Sequence, residues 1–194
     1  ISSLRTSLSA SAGGEQMRFL EDGATLILSQ HAITTRPLCF SGKTFTKLPA
    51  RVRALTWGAE DLAADIGALG NRSPDGSFEF TCAYARSMCL LAAAAAGVAA
   101  IDTVDIEIRD VAAVERRARD SRRQGFAGKM AIHPAQVAPI HAAFSPSAAE
   151  VEWADRVLAA FSASPGAGAV SLDGRMLDRP HVRQAERILA AAAR

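Results

Sequence analysis

Three cysteines in 194 residues are too few, and too irregularly spaced, for a disulfide framework or a zinc module. Cys39, Cys82 and Cys89 therefore read as reduced, buried small hydrophobes. Charge of one sign is equally scarce: 22 basic residues against 20 acidic ones leave a formal net charge of +2. The arginines at 116, 117, 119, 122 and 123 are interleaved with acids, as on a solvated helix face, and argue against a nucleic-acid partner. Long apolar runs are missing too. Met88 to Ala100 is too short and too alanine-rich to cross a bilayer, and residues 1–20 carry no charged-then-apolar signal pattern. The expectation is no membrane association and a cytoplasmic location. No glycine-rich phosphate loop follows the first apolar run, which counts against a flavodoxin-like nucleotide binder.

What is present is apolar bulk, a hydrophobic fraction of 49% that suffices for one sizeable core in a globular domain. Leu4 and Leu8 lie at helical spacing ahead of the Gly13-Gly14 break, which predicts a weak helix over residues 1–14. Met17 to Leu20 reads as a helical turn, and Ala24 to Leu28 has the content of a strand. Further strands are expected over Arg53–Trp57, Ile101–Ile108 and Lys129–Ile132. Between them fall a helical turn from Leu62 to Gly67, a loop over Asn71–Ser77, and helices over Tyr84–Ala96 and Val111–Gly125. Strand and helix alternating at these intervals predict parallel βαβ units with right-handed crossovers. Ala148 to Phe161, with Ser145 or Ser147 as N-cap, predicts another helix, and His181 to Ala193 the last.

Three segments carry the chemistry. The first is Gly125-Phe126-Ala127-Gly128-Lys129-Met130-Ala131-Ile132-His133-Pro134-Ala135-Gln136, which reads as a buried strand with a polar tip. His133 and Gln136 fall just past its carboxyl end, where parallel sheets gather ligand groups; a surface turn with an incidental histidine is the alternative. The second is Leu55-Thr56-Trp57-Gly58-Ala59-Glu60-Asp61, an apolar run ending in glycine and then acid. The third is Val170-Ser171-Leu172-Asp173-Gly174-Arg175-Met176-Leu177-Asp178-Arg179-Pro180, in which Asp173 and Gly174 suit a turn. In this order the three resemble the citrate lyase beta-subunit-like (CitE-like) branch of the HpcH/HpaI aldolase family. The resemblance runs from about Ile27 to the C-terminus and is strongest from Arg51 to Ala192.

The resemblance implies the C-terminal portion of a TIM (β/α)₈ barrel, about four parallel strands with their helices, over residues 1–144. A C-terminal helical extension or lid is implied over residues 145–194. A full barrel takes about 250 residues, so the family's opening strands, with a substrate-binding arginine, are expected to lack a counterpart within this chain. Also implied are carbon–carbon lyase chemistry on a 3-hydroxyacyl-CoA such as citryl-, malyl- or citramalyl-CoA, a Mg²⁺ cofactor, and a homo-oligomer, trimer or hexamer.

Residue by residue, Asp61 takes the place of one of the family's metal-ligating carboxylates; capping a helix that starts at Leu62 is its alternative role. Thr34 stands where the family has a glutamate ligand. A neutral hydroxyl replaces a charged oxygen poorly around Mg²⁺, and Glu60 is the nearby substitute. Asp178 matches an acid or base delivered from a C-terminal segment, often of an adjacent subunit; a cap ahead of Pro180 is its alternative. His133, Pro134 and Gln136 match the coenzyme A edge, and Lys129 either points the same way or serves a structural ion pair. Asp102 reads as a buried acceptor in the barrel wall. The departure at Thr34 keeps a second reading open, a truncated or degenerate non-catalytic relative acting as a binding or oligomerisation module. The chain by itself is expected to be weakly active or inactive.

Overall fold

The computed structural model describes residues 52–193 in full and, before them, the backbone of three strands. These are β1 (Ser7–Leu8), β2 (Gln16–Phe19) and β3 (Thr25–Leu28). Thr34 and Cys39 lie outside the described residues, as does the rest of the 1–14 segment. Strand replaces the helix expected around Leu8 and Met17: β1 pairs antiparallel with β2, and β2 with β3. In so short a window, periodicity does not separate strand from helix, and pairing with a neighbour decides the matter.

From β3 onward the sheet is parallel. β3, β4 (Val52–Thr56), β5 (Ala99–Asp102) and β6 (Gly128–Lys129) are adjacent in chain order, and the described strands together follow the order β1-β2-β3-β4-β5-β6. In β4 all residues but Arg53 are buried, as a parallel strand covered on both faces requires. β5 stops at Asp102 rather than reaching Ile108. Beyond it, Asp105 Oδ1 accepts the Glu107 N–H (3.2 Å) and Glu107 Oε1 accepts the Arg109 N–H (2.8 Å), so side chains take up donors that a ladder would use. β6 likewise ends at Lys129, short of Ile132.

The helices of this part are α1 (Ala59–Asp65), α2 (Phe80–Ala96), α3 (Val111–Gln124) and α4 (Val137–Phe144). α2 packs on β4 and β5. Its Cys82, Ala85, Cys89 and Ala93 recur at helical spacing and join Val52, Leu55, Trp57, Ala100 and Phe126 in one core. Gly125 ends α3 in the left-handed region (φ 108°), a conformation glycine adopts without a Cβ penalty. Gly128 packs closely, since a Cβ there would meet Ile101 Cδ1 at 3.2 Å and that side chain would have to give way. The sequence gives no warning of α4. Pro134 opens a 3₁₀ turn (Pro134–Gln136) leading into it, at a position where a missing N–H costs nothing.

Residues 1–144 and 145–194 form two compact units. The second contains α5 (Ala148–Ser162), the antiparallel hairpin β7 (Ala169–Leu172) and β8 (Arg175–Asp178), and α6 (Arg179–Ala192). Ser147 and Glu150 cap α5 reciprocally, the Ser147 hydroxyl accepting the Glu150 N–H at 3.3 Å and Glu150 Oε2 accepting the Ser147 N–H at 2.7 Å. Asp173 (φ 52°) and Gly174 (φ 73°) make the hairpin turn, and Asp173 pairs with Arg156 of α5. Ala154, Val157, Leu177 and Ala185 form this unit's own core. Among the described residues no helix is long and apolar enough to cross a membrane.

Candidate active site

The carboxyl ends of β4, β5 and β6 lie at one end of the sheet, and three contacts stitch them together. The Ala59 N–H donates to Thr103 Oγ1 (3.1 Å), Thr56 Oγ1 donates to Met130 Sδ (3.4 Å), and the Met130 N–H donates to the Asp102 carbonyl (3.0 Å). Loops after these strands carry Asp61 and His133, so the fold brings those two candidates to the same rim.

Asp61 sits in the first turn of α1, exposed and without a hydrogen bond or ion pair among the described residues. Its alternative role falls away: α1 starts at Ala59 with Gly58 as N-cap and has no side-chain cap bond. Glu60 is committed elsewhere, its Oε1 accepting from Asn71 Nδ2 at 2.6 Å. No group of three His, Cys, Asp or Glu side chains able to hold a metal occurs among the described residues. Asp61 is left as an uncommitted carboxylate after β4, and the described residues around it form no metal site by themselves.

His133 and Pro134 are exposed at the tip after β6. His133 Nδ1 accepts the Ala135 N–H (3.2 Å), which leaves Nε2 as the ring nitrogen facing outward. Gln136 is fully buried and turned inward. Its amide donates to the carbonyls of Asp105 (2.8 Å) and Glu107 (3.1 Å), and its Oε1 accepts the Ile132 N–H (3.0 Å). Both amide donors and the oxygen of Gln136 thus serve to clamp the segments that follow β5 and β6. Lys129 is likewise buried, donating from Nζ to the Thr103 carbonyl (2.8 Å); burial holds its ammonium below the usual lysine range despite the charges of Asp102 and Asp105.

Beneath the rim, Asp102 is the acceptor it was expected to be. It is 1% exposed, receives Trp57 Nε1 (2.8 Å) and Ser121 Oγ (2.6 Å), and pairs with Arg86 Nη2 (2.6 Å). Burial alone would raise its pKa, but the Arg86 hydrogen bonds, the Lys129 charge and Ser121 outweigh this and hold the carboxyl below the usual carboxylate range. Cys89 goes the other way, its thiol pushed up to about 12 by burial and then by Asp102. That excludes it as a nucleophile near neutral pH.

Asp178 belongs to the second unit, where it ends β8 and is the N-cap residue of α6. Its carboxyl is partly exposed and meets His181: Nδ1 lies 2.7 Å from Oδ1 and 3.1 Å from the Asp178 backbone nitrogen.

Residues 43–134 match the model for HpcH/HpaI aldolase/citrate lyase, and residues 90–194 match that for C–C bond lyases of the TIM-barrel fold. This chain belongs to the HpcH/HpaI aldolase/citrate lyase family. A citrate lyase subunit beta-like protein of Mycobacterium tuberculosis is 40% identical over 138 residues, 71% of this chain and 50% of that protein. Human mitochondrial citramalyl-CoA lyase is 37% identical over 141 residues, 72% of this chain and 40% of that enzyme. The chain therefore spans about half the length of the curated relatives it matches. Among solved structures, Mycobacterium tuberculosis CitE in complex with magnesium, acetoacetate and coenzyme A superposes with a TM-score of 0.70 at 36% identity, covering 79% of this chain and 56% of that one. A citrate lyase from Burkholderia xenovorans gives 0.66 at 29% identity, covering 78% and 48%. The parallel strands of this family member are thus those of a TIM-barrel fold.

Several residues that shape the rim escape sequence reasoning. Arg86, Thr103, Asp105 and Arg117 are polar and not motif-like, yet Thr103 holds α1 in place and Arg117 Nη1 pairs with buried Asp105 at 2.7 Å. Arg86 carries the one usable signal. It sits on the buried stripe of α2, one residue after Ala85 and three before Cys89, where an unpaired charge would be costly.

Proposed function

We propose that this chain carries part of the site of a carbon–carbon lyase acting on a 3-hydroxyacyl-CoA thioester of the citryl-, malyl- or citramalyl-CoA kind. The observation that carries the reading is the uncommitted Asp61 carboxylate at the carboxyl end of β4. Support comes from the relatives, which include citramalyl-CoA lyase and (3S)-malyl-CoA thioesterase, and from a CitE structure holding magnesium, acetoacetate and coenzyme A. In this reading Asp61 supplies one oxygen to Mg²⁺, and the bound ion polarises substrate oxygens as a Lewis acid. His133 offers Nε2 to a polar group of coenzyme A beside Pro134, while Gln136 fixes the loop that carries them. Asp178 exchanges a proton with the carbon next to the thioester. The protein is read as a cytoplasmic homo-oligomer, trimer or hexamer; the exposed apolar Phe80 and Leu91 on one face of α2 support self-association.

A second reading, a non-catalytic relative serving as a binding or oligomerisation module, is favoured by one fact. By the resemblance Thr34 stands in the place of a carboxylate, and no group of three His, Cys, Asp or Glu side chains able to hold a metal occurs among the described residues. Incubation of the chain with each thioester and Mg²⁺, with release of free acetyl-CoA as the readout, separates the two. The lyase reading expects turnover that falls by about 100-fold or more in Asp61→Asn and in Asp178→Asn, as loss of a single electrostatic group does in other active sites. Turnover that ignores both substitutions overturns these assignments; because the chain by itself is expected to be weakly active or inactive, none at all selects the non-catalytic module only where Mg²⁺ affinity is also unchanged in Asp61→Asn.

A further inference from the structure

One nitrogen atom near the start of α6 has two partners that ask opposite things of it. His181 Nδ1 is 3.1 Å from the Asp178 backbone nitrogen, which is only a donor, and 2.7 Å from Asp178 Oδ1. With a bare lone pair, Nδ1 accepts the N–H and completes a capping box at the helix start. Carrying a proton, it donates to Oδ1. An ionised carboxylate and a bare imidazole lone pair would repel at 2.7 Å, so that contact requires a proton between them. Both side chains are partly solvent-exposed, 48% for Asp178 and 37% for His181, and the carboxyl, which also accepts the His181 backbone N–H in the capping box, takes its rotation from these two contacts with His181 rather than from packing.

Resting on the reading of Asp178 as the acid or base, we propose that His181 is its positioning residue. His181 Nδ1 occupies Oδ1 and leaves Oδ2 as the oxygen that exchanges a proton with the thioester α-carbon. In the cleavage direction the O–H bond at Oδ2 breaks and its electron pair stays on the carboxyl. The enolate's electron pair forms the new C–H bond, and the charge spreading onto Oδ1 is met by the Nδ1 proton. In the reverse direction Oδ2 takes the proton from carbon and the enolate keeps the C–H pair.

Two measurements on the full chain test this. The first is the ¹⁵N resonance of each imidazole, compared between the wild type and Asp178→Asn. A shared proton predicts that His181 Nδ1 moves while His31, His133 and His141 stay; an unmoved Nδ1 shows a cap only and overturns the proposal. The second is Mg²⁺-dependent deuterium exchange into the methyl group of acetyl-CoA. His181→Gln has an acceptor for the N–H and a donor for Oδ1, and is expected to keep the rate within about threefold. His181→Glu keeps the cap but sets a like charge against Asp178, and should lose on the order of 10- to 100-fold in kcat with KM little changed and an unchanged melting temperature. Equal rates for Gln and Glu overturn positioning. Failure of Asp178→Asn to lower exchange instead defeats the acid–base reading of Asp178, and where the chain alone shows no exchange the nitrogen resonance decides the pair.

Discussion

Asp102 shows at residue scale why a charge was retained in the wall behind the rim. Trp57 just after β4, Ser121 of α3 and Arg86 of α2 converge on its two oxygens, so one carboxylate fixes the end of β4, α2 and α3 against β5. Asp102→Asn leaves Arg86 buried with its partner's charge gone, and a loss of about 3–5 kcal/mol is expected in urea unfolding at pH 7. The pH dependence has a definite sign. The native carboxyl titrates below its ordinary range, so its contribution is complete above the unfolded value of about 4 and is lost as pH falls below that toward the native one. Unfolding curves of the wild type should weaken through this window, and those of Asp102→Asn should weaken less. A substitution costing under about 1 kcal/mol would mean that the pair is no more than an exposed ion pair in effect.

At the scale of elements, local chemistry decided what could be read in advance. α5 was legible from its capping serine and first-turn acids, with Ser145 and Ser147 both open; the structure selects Ser147 in a capping box with Glu150, and removing the hydroxyl with Ser147→Ala should cost about 0.5–2 kcal/mol by thermal unfolding of the full chain. No change in the transition would show that this end of α5 frays. α3 was legible from Gly125, and the hairpin turn from Asp173-Gly174. β1 and β2 were not legible, because the antiparallel pairing that makes them strands is information from a neighbour. The same limit applies to the site. Asp61 and His133 were singled out as candidates from motifs that end strands, whereas the inward turn of Gln136 and the contact between Asp178 and His181 depend on carbonyls and rotamers that no spacing encodes.

For the whole molecule, the parallel strands present one rim with Asp61 and His133 on it, and Asp178 belongs to a second unit with a core of its own. The account stands on Asp61 being a metal ligand, because the rest of the lyase reading needs that charge at that tip. Calorimetric titration with Mg²⁺ of the wild type, Thr34→Glu, and Thr34→Glu combined with Asp61→Asn measures this directly. A second carboxylate oxygen should tighten binding by about tenfold or more when Asp61 is already in place, and removing Asp61 should abolish the gain. Equal affinity in all three proteins would contradict the account and leave Asp61 an ordinary surface acid in the first turn of α1.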